Sequence, residues 1–326
     1  MGIRAIVTGG MGFIGSQMIR RLRDSTEFDF ILNYDNITYS GNTLNCPFID
    51  DKNYKFVKGD ICDQELLAGL ISEYGIDLIY NFAAESHVDN SINSSSIFID
   101  SNIGGVRAIL DCIKDVKYSL GKQITLIQIS TDEVYGSLGE GDQGFKESTP
   151  LSPNNPYSAT KAAADLLIGS YVNTFGLRCG ITRCSNNYGP RQHQEKLIPK
   201  MLHAAENNNK LTVYGDGLQI RDWIHVSDHC AGIEAFSKAI HGGDLDSGEI
   251  MNFGGTSELT NLEVVHSILQ FCEKDKSLIE FVEDRLGHDR RYAIDYTKAK
   301  QILGWEPKVA WEDGIISTLR SYALPK

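Results

Sequence analysis

Residues 129–136 read ISTDEVYG, and the apolar run ITLIQIS leads straight into them. A buried strand would thus finish on a hydroxyl residue, Thr131, and two adjacent carboxylic acids, Asp132 and Glu133. Neighbouring carboxylates repel when both are ionised, so one of them is held protonated near neutral pH. The pair can then act as a general acid beside a general base. The plainer alternative is a wet strand end at which both acids face solvent. Further along, Tyr157 and Lys161 in NPYSATK stand four residues apart. On a helix started by Pro156 they share a face. An ammonium near a phenol favours the phenolate and lowers its pKa, giving a base for a hydroxyl whose carbon loses hydride. Many helices carry Tyr and Lys at this spacing by chance, so the elements that position the pair matter.

The segment VTGGMGFIGS sets Gly9, Gly12 and Gly15 between an apolar strand, IRAIVT, and the helical stretch GFIGSQMIRRLRDS. Glycines there permit a tight turn, close approach of a pyrophosphate and close packing of helix on strand. The helix start adds free amides and a partial positive charge for the phosphates. Asp35, at the end of the second strand, lies twenty residues beyond Gly15, where an acid would hold a ribose. An aspartate at that point favours NAD over NADP, because it repels the extra phosphate. Asp60 and Ile61 close the third strand and Phe82, Ala83 and Ala84 the fourth, which makes both places suitable for an adenine.

Around these motifs the first half alternates between continuous apolar runs and amphipathic stretches. That alternation predicts a doubly wound, Rossmann-type α/β parallel sheet covered on both faces. The strand CGITRC reads as its last full member. Residues 1–184 form the expected NAD-binding domain, with segments near 218–254 returning to it. Residues 185–326, richer in polar and aromatic residues, form mainly a smaller mixed lobe that binds substrate. At 326 residues the chain can bury a full core. A net charge of −12 disfavours nucleic acid and anionic membranes as partners. The seven cysteines are scattered, odd in number and without a CxxC pair, which suggests reduced thiols and no zinc site. With no secretory signal or membrane-spanning run in view, the expected location is the cytoplasm.

Together, the glycine motif and the Tyr157–Lys161 pair resemble the extended short-chain dehydrogenase/reductase family. The stretches FAAESHVDNSI, ISTDEVYG, NPYSATKAAAD, NNYGPRQHQEKLIP, YGDGLQIRDWIHVSDHC and GHDRRYAID narrow this to its nucleotide-sugar branch and to the dTDP-glucose 4,6-dehydratases. The resemblance implies NAD as cofactor, dTDP-glucose as substrate and a hydro-lyase reaction. Glu133 would remove the C5 proton and Asp132, kept neutral, would protonate the departing C6 hydroxyl. Thr131 would bind the sugar near O4. By the same resemblance Phe13, Ile14, Asn36, Thr38, Ser101 and Asn187 join the cofactor site. Ser86, Asn186, Lys196, Leu197, Tyr214, Arg221, Asn261, Arg285 and His288 would meet the substrate, with Tyr214 against the thymine and the cations near the phosphates. A homodimer through long helices near 97–115 and 157–175 is also implied. Leu286, Asn90, Gln194 and Ser101 depart from the family's usual proline, arginine, proline and threonine without removing a reacting group. The rivals are a UDP-sugar epimerase or decarboxylase of the same fold, an epimerase having no need of Asp132 and Glu133 side by side, and a non-catalytic NAD-binding regulator.

Overall fold

In the computed structural model, which describes residues 2–48 and 50–323, strand β1 (Ile3–Thr8) is buried on both faces. Ala5 and Val7 enter one apolar core and Ile6 enters the other, as the two-residue period of a strand requires. The remaining strands of the main sheet are β2 (Phe28–Asp35), β3 (Tyr54–Lys58), β4 (Leu78–Asn81), β5 (Thr125–Ile129), β6 (Arg178–Cys184) and β10 (Ile250–Phe253). All run parallel, in the order β10-β6-β5-β4-β1-β2-β3.

The intervening helices are α1 (Phe13–Arg23), α2 (Gln64–Tyr74), α3 (Val88–Asn93), α4 (Ser96–Phe98), α5 (Val106–Leu120) and α6 (Pro156–Phe175). A π-helical segment, Ile99–Gly105, joins α4 to α5. Local chemistry sets their ends. Asp63 caps α2 at the amide of Leu66, and Gly75 closes it in the left-handed region at φ 60°. At the head of α6, Asn155 and Ser158 form a reciprocal capping box ahead of Pro156.

The doubly wound parallel sheet agrees with the sequence reading, but CGITRC (β6) is not its last member. Strand β10 pairs beyond it, Ile250 opposite Ile181. Four residues are too few to show a period, and β10 arrives only after a long excursion. That excursion builds β7 (Asn186–Tyr188), α7 (Leu197–Glu206), β8 (Leu211–Tyr214), β9 (Ile220–His225) and α8 (Val226–Gly242). Helix α8 lies on the main sheet, its Ile233, Phe236 and Ile240 entering the same core as Phe253. After β10 come β11 (Ser257–Thr260), α9 (Asn261–Phe271), β12 (Ile279–Val282), α10 (Thr297–Leu303) and α11 (Trp311–Ala323). Strands β11, β9 and β7 form one small sheet, and β12 and β8 another. A third core, including Ile198, Leu202, Trp223, Val265 and Trp311, holds this lobe together. Among the described residues no helix is long and apolar enough to cross a membrane, and no three His, Cys, Asp or Glu side chains gather as metal ligands.

Candidate active site

A cavity of about 330 Å³ runs along the carboxyl ends of the first six strands. This is where open α/β sheets bind ligands. Gly9, at φ +67°, leaves β1 so close to the next crossover that a Cβ would lie 2.6 Å from the Ala83 amide nitrogen. A Cβ on Gly15 would lie 2.3 Å from the Gly9 carbonyl oxygen. No side chain caps the start of α1, so its first amides remain available to a pyrophosphate. Phe13, Ile14, Asn36, Thr38, Ile61, Phe82, Ala84, Ser101 and Asn187 line the same space, together with Gly12, Asp60, Tyr157 and Lys161.

Asp35 is not a solvated loop acid. Its two oxygens accept from the amides of Met11 at 2.8 Å and Ile37 at 2.6 Å. Burial pushes its pKa up, and those amides oppose the shift. Each oxygen keeps a lone pair for a ribose hydroxyl. Asn36 donates to Asp60 at 3.0 Å, joining the ends of β2 and β3. These features fit a dinucleotide, and the glycine cradle would be filled by any larger residue.

At the end of β5 the chain turns through a short 3₁₀ helix, Asp132–Tyr135. The Thr131 hydroxyl accepts from the Glu133 amide at 3.3 Å and donates to Asp132 Oδ1 at 3.2 Å. Asp132 is 2 % exposed, and its Oδ2 has no hydrogen-bond partner. Burial raises its pKa well above the ordinary carboxylate range, with the Glu133 and Asp222 charges adding to the rise. Glu133 is half-buried and accepts from Asn155 Nδ2 at 3.2 Å. The acids therefore occupy different settings: Asp132 is buried with one oxygen unpartnered, and Glu133 is half-buried and held by Asn155.

Tyr157 and Lys161 stand on the first turns of α6 and face this turn. Lys161 Nζ donates to the Ile129 carbonyl at 2.6 Å, and burial lowers its pKa against the pull of Asp165. The phenol departs from the sequence expectation of a lowered pKa. Burial, followed by the Glu133 charge, holds Tyr157 well above its ordinary value, and only a Thr131 hydrogen bond is a sizeable opposing influence. The physical reason is desolvation: the ring is 9 % exposed among carboxylates.

Of the residues read as substrate-binding, Ser86, Thr131, Asn186 and Lys196 line the cavity. Lys196 Nζ donates to the Ser86 carbonyl at 2.9 Å. The others lie outside the lining. Arg221 is buried, donates to the carbonyls of Ile220 and Asp289, and rests 4.3 Å over the Tyr292 ring. Tyr214 donates to Asp89 at 3.3 Å and packs edge-on to His288, while Arg285 pairs with the same Asp89 at 3.6 Å. His288 bonds Asp284, which also accepts from Gln219, and the Asn261 amide bonds the Gln219 carbonyl. Leu197 instead packs toward the lobe's core. Glu85, Gln192, His193 and Glu195 also line the cavity, and no motif in the sequence singles them out. Asn155, which holds Glu133, could have been found from its place before Pro156, an N-cap signal.

The model of the GDP-mannose 4,6 dehydratase family matches residues 6–318. The chain belongs to this family. Among the relatives of this 4,6-dehydratase chain is the low-salt glycan biosynthesis protein Agl12 of Haloferax volcanii, 47% identical over 97% of both chains. The dTDP-glucose 4,6-dehydratase of Streptomyces niveus is 43% identical, covering 98% of this chain and 93% of its own. The crystal structure of DesIV, the dTDP-glucose 4,6-dehydratase of Streptomyces venezuelae, with NAD and TYD bound superposes with a TM-score of 0.92 at 43% identity, covering 98% and 97% of the two chains.

Proposed function

We propose that the chain is an NAD-dependent dTDP-glucose 4,6-dehydratase. The carrying observation is the pair of unlike acids, Asp132 buried and raised, Glu133 half-buried and held by Asn155, set against Tyr157 and Lys161. An epimerase has no use for that pair. When bound, NAD would supply the oxidant at C4 and the reductant at C6. Tyr157 takes the O4 proton, with Thr131 orienting the hydroxyl and the Lys161 ammonium stabilising the phenolate. Oxidation at C4 makes the C5 proton acidic, and Glu133 removes it. Asp132 protonates the C6 hydroxyl, which leaves as water. Glu133 returns a proton to C5, and the proton held by Tyr157 replaces the one spent by Asp132. The net change is loss of one water without net oxidation.

The fixed positive charges at Lys196, Arg221 and Arg285 suit a nucleotide diphosphate, and Tyr214 offers a ring for the base. On this reading residues 1–184 hold the cofactor and 185–326 mainly the nucleotide sugar. A cytoplasmic homodimer completes the proposal, supported by exposed Ile97, Ile99 and Leu166 on α4, the π-helical segment and α6. The test is incubation with dTDP-glucose without added reductant, followed by mass spectrometry. A product lighter by one water, carrying solvent deuterium at C5, is expected. Conversion at unchanged mass would instead make the chain an epimerase.

A further inference from the structure

Behind the reacting residues lies a buried set of groups to which the reaction gives no part. Asp165 follows Lys161 by one turn on the same face of α6 and is 4 % exposed. Its Oδ2 accepts from Ser130 Oγ at 3.1 Å and from Arg183 Nε at 3.0 Å. The Arg183 and Asp165 side chains are 3% and 2% exposed. Arg183 also lies 4.7 Å over the Tyr135 ring, at the far end of the acid-bearing turn. Lys161 holds the carbonyl of Ile129. Two residues one helical turn apart therefore grip two consecutive residues of β5's end, immediately before Thr131. Asp165 Oδ1 remains buried without a hydrogen bond, so half the carboxylate is not committed to Ser130 or Arg183.

We propose that Asp165 is a positioning residue that clamps α6 to the Ser130–Glu133 turn and keeps a negative charge facing Lys161. The inference deepens the dehydratase reading and rests on it for the role of Tyr157 and Lys161. An isolated buried carboxylate is costly and persists only where it has work as a partner. Arg183 offsets part of its charge from one side, and Ser130 ties the pair to the reacting end of the sheet. The charged and titratable neighbours are few. Arg183 and Cys184 come from β6, Asp132 and Glu133 from the turn, and Tyr157 from α6 itself. From α3 and the π-helical segment come only uncharged Ser91 and Asn102, bonded to the Tyr157 amide and to Thr160. On α5, Asp111 is engaged at the distant end of α6 with Tyr171. Asp165 is thus the acid that opposes the loss of charge at Lys161.

The experiment compares wild type, Asp165→Asn and Asp165→Glu as full-length, NAD-loaded protein. Single-turnover oxidation of dTDP-glucose is followed by cofactor absorbance across pH, together with hydrogen exchange of the 129–136 segment. In Asp165→Asn the lysine gives up its proton at lower pH, so the phenolate loses the ammonium beside it sooner on the alkaline side. The alkaline limb of the oxidation rate then moves down by about one pH unit or more. Asp165→Glu, which keeps the charge, returns most of that shift. Exchange across 129–136 rises in Asp165→Asn while that of β1 does not. A uniform loss of rate at every pH, with unchanged exchange at 129–136, would overturn the proposal. If Asp165→Asn does not fold, the joint change with Arg183→Met leaves no unpaired charge and carries the same two readouts. A wild type that does not oxidise the sugar sinks the dehydratase reading, and the exchange result alone then decides the clamp.

Discussion

Asp132 and Glu133 are joined by one peptide bond, yet one is sealed from solvent and the other is bonded to Asn155. Burial and the neighbouring Glu133 charge push the Asp132 pKa well above the ordinary carboxylate range, as suits an acid that must donate a proton. Glu133→Gln should still form reduced cofactor from dTDP-glucose but lose water about 10²–10⁴-fold more slowly, as removal of a general base does. Stopped-flow absorbance and product mass separate those two steps. Asp132→Asn should slow water loss similarly while leaving thermal stability unchanged or higher, since a neutral amide mimics the buried neutral acid. A clear fall in its melting temperature would show that Asp132 is ionised in the folded protein. Tyr157→Phe should instead abolish the first oxidation, seen as no rise in reduced cofactor.

Each element owes its role to residues that only the folded sheet brings together. The α1 start needs Gly15 because a side chain there would strike the Gly9 carbonyl. Gly15→Ala should therefore weaken NAD binding by at least tenfold in a direct titration. Gly69 lies inside α2 with nothing within 4 Å of its missing Cβ. Gly69→Ala should raise stability by about 0.5–1 kcal/mol, read as a higher denaturant midpoint. The same contrast explains what the sequence made legible. Gly9, Gly12 and Gly15, the acid pair and Tyr157–Lys161 are local patterns, and local patterns survive in one dimension. The partners of those residues do not. Tyr214 meets Asp89 across 125 positions and Arg183 meets Asp165 across 18, joined only by the winding of the sheet. The π-helical turn at Ile99–Gly105 left no sequence signal. It seats Gly105 where a Cβ would lie 2.2 Å from the Ile61 side chain, next to the cavity.

Over the whole molecule, two buried groups give stability opposite dependences on pH. His229 is fully buried, donates from Nδ1 to Asn187 at 2.9 Å, and its pKa falls from 6.5 to about 3 because burial disfavours its charge. In that interval the unfolded chain holds more protons, so this contribution is full above about 6.5 and is lost as pH falls toward 3. Asp222 is raised from 3.8 to about 6 by burial, against the Gly255 amide and Ser185. There the folded chain holds the extra proton, so stability declines as pH rises from about 4 to 6. Melting at pH 7.5 and 5 should show His229→Gln losing less on acidification than wild type and Asp222→Asn losing more. Over that interval each effect is about 1–2 kcal/mol. The late arrival of β10 has a consequence for how the chain is made. Strand β6 ends at Cys184 and β10 begins at Ile250, so 65 residues (185 to 249) must leave the ribosome between them. At roughly 5–20 residues per second that takes several seconds. Throughout that time a six-stranded sheet presents β6 as an open apolar border, with its hydrogen-bonding groups ready to pair with another nascent chain. The interval is short in a cell where translation proceeds, and a stall within residues 185–249 would make it long.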